Sequence, residues 1–171
     1  MNIIGIIPAR MASTRFPNKP MANILGMPMI GHCLKRSLMC NLLTDVYVAT
    51  CDKIIYDYIE SVGGKAIMTL DTHERASDRT AEAMLKIEKK IGEKIDIVVL
   101  LQGDEPMTNA SMIESAVNPL LDDSNLPFNI ISPQSIFCKS MYSFGCHYWK
   151  WPGRMDLCHL CISSESQPVG F

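Results

Sequence analysis

Two periodicities alternate along this chain. Ile3-Ile4-Gly5-Ile6-Ile7 is a short apolar run that breaks at Pro8, and it predicts a buried strand. Between Met29 and Leu43, Ile30, Cys33, Leu34, Leu38 and Leu42 recur near helical spacing. Val46–Ala49 reads as a second strand. An amphipathic helix is predicted over Lys53–Val62, with Ile54, Ile55, Tyr58, Ile59 and Val62 inward and Gly63-Gly64 ending it. Lys65–Met68 is a short third strand. Ser77–Ile91 predicts a helix carrying Ala81, Met84, Leu85, Glu88 and Ile91 on one face, with Gly92 as its stop and Ser77 or Thr72 as candidate N-cap. Ile95–Leu101 is the strongest strand, and its continuous apolar run suits a central parallel strand covered on both faces. Asn109–Leu121 places Met112, Ile113, Ala116, Val117 and Leu120 inward on a last helix, and Phe128–Ile131 predicts a further strand.

Strand, helix, strand, helix implies right-handed crossovers and a mostly parallel sheet with helices on both faces. The pattern fades after Ile131. From Pro127 to Phe171 the charged residues are Lys139, Lys150, Arg154, Asp156 and Glu165, while Trp149, Trp151, Cys138, Cys146, Cys158 and Cys161 all lie there. The chain therefore divides into a patterned part, 1–132, and a divergent tail, 133–171, in which no helix or strand is predicted.

The 171 residues, 47% hydrophobic and 20% charged with net charge −2, suit one globular domain with a sizeable core. No apolar run approaches the roughly 20 residues that span a bilayer, which predicts no membrane segment. The opening apolar run is short and has no basic residue before it, so no signal peptide is expected. A cytoplasmic location follows, with the seven cysteines as thiols and the 12 methionines mostly filling the core.

Charge is uneven. Arg10, Arg15, Lys19, Lys35 and Arg36 all precede the first acidic residue, Asp45. A cationic loop, Pro8 to Pro20, thus follows the first strand, where open α/β sheets bind anionic ligands. Its small residues Ala9, Ala12 and Ser13 permit close approach, Arg10 offers a fork for phosphate oxygens, and Lys19 a point charge. Neither a Walker P-loop nor a dinucleotide fingerprint is present. After the strongest strand comes Gln102-Gly103-Asp104-Glu105-Pro106. Asp104 there is the candidate ligand for a hard cation such as Mg²⁺, and Gln102 offers an amide. Thr69 to Arg79 is a polar loop running into a helix whose N-terminus favours anions. The basic cluster without acidic neighbours is confined to one loop with a single aromatic, Phe16, which argues against a nucleic-acid partner. Cys158-His159-Leu160-Cys161, with Cys138, Cys146 and His147 nearby, fits a structural zinc site poorly, since its first pair is too widely spaced.

Ile7-Pro8-Ala9-Arg10…Ser13-Thr14-Arg15-Phe16-Pro17…Lys19-Pro20, Val48-Ala49-Thr50, Met68-Thr69…His73…Arg79…Ala81-Glu82 and Leu101-Gln102-Gly103-Asp104-Glu105-Pro106 resemble the 3-deoxy-manno-octulosonate cytidylyltransferase family, the CMP-Kdo synthetases. The likeness runs from Met1 to about Ser132; acylneuraminate and spore-coat nucleotidyltransferases share looser versions. It implies a Rossmann-like nucleotide-diphospho-sugar transferase fold, truncated relative to the family, and an Mg²⁺-dependent enzyme. That enzyme transfers CMP from CTP to Kdo, releases pyrophosphate, and serves lipopolysaccharide synthesis. The resemblance casts Arg10, Lys19 and Asp104 as catalytic residues, with Asp104 the metal ligand. Pro8, Ala9, Ser13, Arg15, His73, Ser77, Arg79 and Gln102 join Arg10 and Lys19 around the nucleotide, and a homodimer is implied. Family members read Ala-Thr-Asp where this chain has Ala49-Thr50-Cys51-Asp52. They are also longer, and their second half carries most sugar contacts. The tail's composition predicts translation out of frame past codon 132, and loss of the sugar half predicts a nucleotide-binding remnant with weak CTP binding and little turnover.

Overall fold

The computed structural model describes residues 1–12, 16–122, 130–131, 147–151 and 155–159. Its centre is β1 (Ile3–Ala9), buried along its whole length. A small ribbon follows, β2 (Asn23–Ile24) with β3 (Met27–Pro28), before α1 (Met29–Ser37). Then come β4 (Asp45–Thr50), α2 (Lys53–Ser61), β5 (Lys65–Met68), α3 (Ala76–Ile91), β6 (Ile97–Leu100) and α4 (Ala110–Asp122). Short strands β7 (Ile130–Ile131), β8 (His147–Trp151) and β9 (Met155–His159) complete the described elements.

The sheet runs β5-β4-β1-β6-β7-β9-β8. Pairing is parallel from β5 through β9, with Ile6 opposite both Tyr47 on β4 and Leu100 on β6; β8 alone is antiparallel. After β1 the chain moves outward through β4 and β5, then returns to place β6 on the other side of β1. The order reverses there, which opens a crevice beyond the carboxyl ends of β1 and β6.

Alternation along β1 sends its side chains to two cores. Ile3 and Ile7 join Ile30 and Leu34 of α1, Ile55 and Ile59 of α2, and Ile113 and Val117 of α4 on one face. Ile4 and Ile6 join Ala83, Met84 and Ile87 of α3 on the other. Helices therefore cover both faces, as the apolar runs of β1 and β6 predict.

Three expectations change. The first helix stops at Ser37 rather than reaching Leu43. Ser37 Oγ bonds the carbonyl of Cys33 at 2.7 Å, and short turns follow through Met39 and Cys40, so Leu38 is 53% exposed while Cys40 enters the core. The inner face of α3 is also rotated from the predicted one: Thr80, Ala83, Met84 and Ile87 are buried, whereas Leu85 is 57% exposed. Thr80 is tolerated inside because its hydroxyl bonds the Ala76 carbonyl. Finally, β8 and β9 pair as a hairpin within the stretch where no element was expected.

Candidate active site

The loop after β1 is anchored before it exposes its charges. Met11 N–H donates to Asp52 Oδ2 at 2.7 Å, Asn18 N–H reaches back to the Met11 carbonyl, and a single 3-10 turn buries Pro20 beside Lys19. Asn18 takes a left-handed conformation, φ 59°, a region asparagine tolerates. Arg10 is exposed at the end of β1, and among the described residues it forms no ion pair. Ser13, Thr14 and Arg15 lie outside the described residues.

Backbone packing joins this loop to the one after β6. Leu101 N–H donates to the Ile6 carbonyl at 2.9 Å, continuing the ladder. At Gly103 the two chains touch: a Cβ there would stand 2.7 Å from the Pro8 carbonyl oxygen, so this approach admits only glycine. Helix α1 grips the same loop from below. Arg36 donates to the carbonyls of Thr108 and Met107, and the Cys33 thiol points at the Gly103 carbonyl. Burial pushes that thiol up to about 11, against a lowering backbone hydrogen bond, so it stays protonated. These contacts carry Asp104 to Lys19, and Lys19 Nζ lies 2.7 Å from Asp104 Oδ2, the two side chains 36% and 49% exposed.

A third wall is the segment before α3. Arg79 is 2% exposed, and its guanidinium donates to Thr69 Oγ1 and to the carbonyls of Leu70 and His73. One turn along, Glu82 accepts from Leu70 N–H at 2.9 Å, His73 Nε2 at 2.5 Å and Lys86 Nζ at 2.7 Å. Partial burial would raise the Glu82 carboxyl, but those hydrogen bonds and the Lys86 charge outweigh it and hold it at about 2. Neither Ser77 nor Thr72 caps α3; the N-cap is Arg75, whose side chain makes no capping bond.

The three segments enclose a cleft of about 670 Å³. Pro8, Ala9, Arg10 and Lys19 line it from β1, Gln102 and Asp104 from β6, and His73 and Arg79 from the third wall. Ser77 is the exception among the described candidates: it is 4% exposed and off the lining, near Asp78. Phe16, Glu74, Arg75 and Met29 also line the cleft and were not singled out as site residues by sequence. Glu82 and Asp52 act from behind it; each is a carboxylate one residue type away from an ordinary surface acid, and only its partners mark it. Among the described residues no three metal-ligating side chains gather. Asp104 still fits Mg²⁺, because that ion commonly takes one carboxylate, phosphate oxygens and water.

Sheet order, crevice and charged loops together define a Rossmann-like α/β nucleotidyltransferase fold. The chain belongs to the cytidylyltransferase family, whose model matches residues 4–144. It is 40% identical over 144 residues to the 3-deoxy-manno-octulosonate cytidylyltransferase of Geotalea daltonii, covering 84% of this chain and 53% of that protein. The Escherichia coli enzyme of the same name is 42% identical over 122 residues, 71% of this chain and 47% of that one. A solved structure of CMP:2-keto-3-deoxy-manno-octonic acid synthetase complexed with CTP superposes with TM-score 0.69 at 40% identity, covering 74% of this chain and 50% of that one. A 4-diphosphocytidyl-2C-methyl-D-erythritol synthase, 12% identical with TM-score 0.57, shares the fold alone. The chain spans about half the length of the curated relatives it matches.

Proposed function

We propose that the strand-end cleft binds CTP and that the chain serves transfer of CMP to Kdo with release of pyrophosphate, for lipopolysaccharide synthesis. The observation that carries this reading is the meeting of Lys19 and Asp104, 85 positions apart, beside Arg10 and Gln102 in one cleft. The names of the relatives and the CTP in the similar structure support the choice of nucleotide and sugar.

A sugar hydroxyl attacks the α-phosphorus in line and gives up its proton to solvent, the bond from that phosphorus to the bridging oxygen of the β-phosphate breaks, and its electron pair leaves with pyrophosphate. Positioning and charge stabilisation supply the rate. Arg10, exposed and forked, holds phosphate oxygens. Lys19 exchanges its contact with Asp104 for the triphosphate, which leaves that carboxylate to hold Mg²⁺. When bound, Mg²⁺ neutralises charge on the phosphates. Pro8 and Ala9 bring backbone close to the nucleotide, and Ser13 and Arg15 extend the same loop. Among the described residues no helix is long and apolar enough to cross a membrane, and a cytoplasmic location gives the cleft access to the CTP pool. We assign the nucleotide half to 1–132 and 133–171 to a divergent tail; the family match to residue 144 runs against a change of frame as early as codon 132, and translation of the other frames past that codon tests it. The family's dimer is expected of the full-length relatives' surface, and light scattering checks it here.

Calorimetric titration tests the site. Wild type binds CTP with Mg²⁺. The Lys19→Ala variant weakens binding by roughly tenfold and lowers its salt dependence, the effect of losing one charge-assisted hydrogen bond. Asp104→Asn abolishes the gain that Mg²⁺ gives. Equal CTP affinity in wild type and in an Arg10→Ala, Lys19→Ala double variant overturns the assignment. Pyrophosphate release on adding Kdo separates transfer from binding alone.

A further inference from the structure

The third wall of the cleft holds a histidine whose two ring nitrogens have different surroundings. His73 Nε2 lies 2.5 Å from Glu82 Oε2, and Glu82 accepts a backbone N–H and Lys86 as well. Nδ1 of the same ring has no hydrogen-bond partner among the described residues, although the side chain is only 21% exposed and lines the cleft. An ionised carboxylate can only accept, so the nitrogen facing it must carry the proton. The neutral ring then has a bare Nδ1, an acceptor.

We propose that Glu82 is a positioning residue that fixes His73 as the Nε2–H tautomer and thereby offers Nδ1 to a hydrogen-bond donor on the nucleoside, not to a phosphate. This rests on the nucleotide reading of the cleft. The donor is an O–H or N–H group, present on CTP as the ribose hydroxyls and the cytosine amino group. The Glu82 oxygen that faces His73, Oε2, also accepts from Leu70 N–H, while Lys86 bonds the other oxygen, Oε1, so the backbone keeps Oε2 in place. Arg79, by gripping the His73 carbonyl, holds the backbone of the same residue. Ring and backbone are thus fixed from one helix by side chains three positions apart, on neighbouring turns of one face. Such outer partners orient a contacting imidazole and select its protonated nitrogen.

The tautomer is read directly from the ¹⁵N chemical shifts of the His73 ring, at a pH where the spectrum itself shows the ring neutral. Wild type shows a protonated Nε2 and a bare Nδ1. Glu82→Leu, which removes the acceptor that an amide oxygen would keep, shows a tautomer mixture. His73→Phe lowers CTP affinity roughly tenfold, the scale of one hydrogen bond. Glu82→Leu loses affinity only in proportion to the rings in the other tautomer, and combining it with His73→Phe adds nothing. Lys86→Met, which removes a neighbour bonded to the other oxygen of the same carboxylate, leaves the tautomer as in wild type. Titration of wild type with 2′-deoxy-CTP and with UTP tells the sources apart: the weaker of the two lacks the group that Nδ1 accepts. A wild-type spectrum with Nδ1 protonated overturns the positioning role even if Glu82→Leu fails to fold. So does a tautomer unchanged in Glu82→Leu, whether or not CTP binds. A tautomer mixture in Lys86→Met assigns the effect to general structure and overturns it too. Failure of wild type to bind CTP, with the expected tautomer, refutes the nucleotide reading and the donor half of this proposal, while the tautomer half stands.

Discussion

Single positions in this site answer to different forces. Gly103 answers to space: replacement by alanine would drive a methyl into the Pro8 carbonyl, and backbone cannot yield as a side chain does. Gly103→Ala is expected to cost about 1–3 kcal/mol, the range for overpacking, measured as a lower urea midpoint with unchanged slope. CTP affinity should fall with it, since Asp104 is the next residue. Glu82 answers to charge. Its folded-state carboxyl sits at about 2, below the unfolded value of 4.5, so its stabilisation is complete above that value and is lost as pH falls towards 2. Wild type should lose stability over this window more steeply than Glu82→Gln, by on the order of 1 kcal/mol after solvent screening, in acid titration followed by circular dichroism. Arg10, Lys19 and Asp104 could be picked out as candidates because their charges cluster at two strand ends, and the fold brings all three to one cleft. Glu82 could not, even though it stood among the family motifs, because its role arises from contacts with positions 70 and 73 and with the next turn of its own helix.

Elements followed hydrophobic period where that period was clean. In α4, Ile113, Ala116, Val117 and Leu120 are buried as their spacing predicts. The helix also carries Pro119 in its interior on an exposed position, where it removes one backbone donor. Pro119→Ala is expected to raise stability by about 2 kcal/mol, the helix penalty of roughly 3 less the entropy proline removes from the unfolded chain, read as a higher thermal midpoint. Periodicity misled where polar groups found partners. Helix α1 ended early where its ladder gave way to tighter turns from Met39 to Arg36 and from Cys40 to Ser37, and the inner face of α3 accommodated Thr80 and Arg79 because acceptors were in reach. No apolar count anticipates a buried arginine; its burial depends on the carbonyls of Leu70 and His73, which the sheet places opposite it.

Across the whole molecule, ligand binding reports on the crevice that the strand order creates. Mg²⁺ and CTP at about one hundred times the dissociation constant should stabilise the folded chain by about 2.7 kcal/mol, a rise of roughly 5–10 °C in thermal midpoint. Absence of any shift, with binding measured separately, would place CTP on the unfolded chain equally. The amino-acid order alone determined the alternation of strands and helices, the two-faced core of β1 and β6, and the chemical types at the strand ends, because period and residue chemistry are local properties. Tertiary structure decided what those residues meet. Strand order, with β6 returning beside β1, brought Lys19 to Asp104. Packing of α3 against the sheet took Ser77 out of the cleft and aimed one nitrogen of His73 at Glu82. Such pairings depend on through-space geometry between distant segments, and no local pattern encodes that.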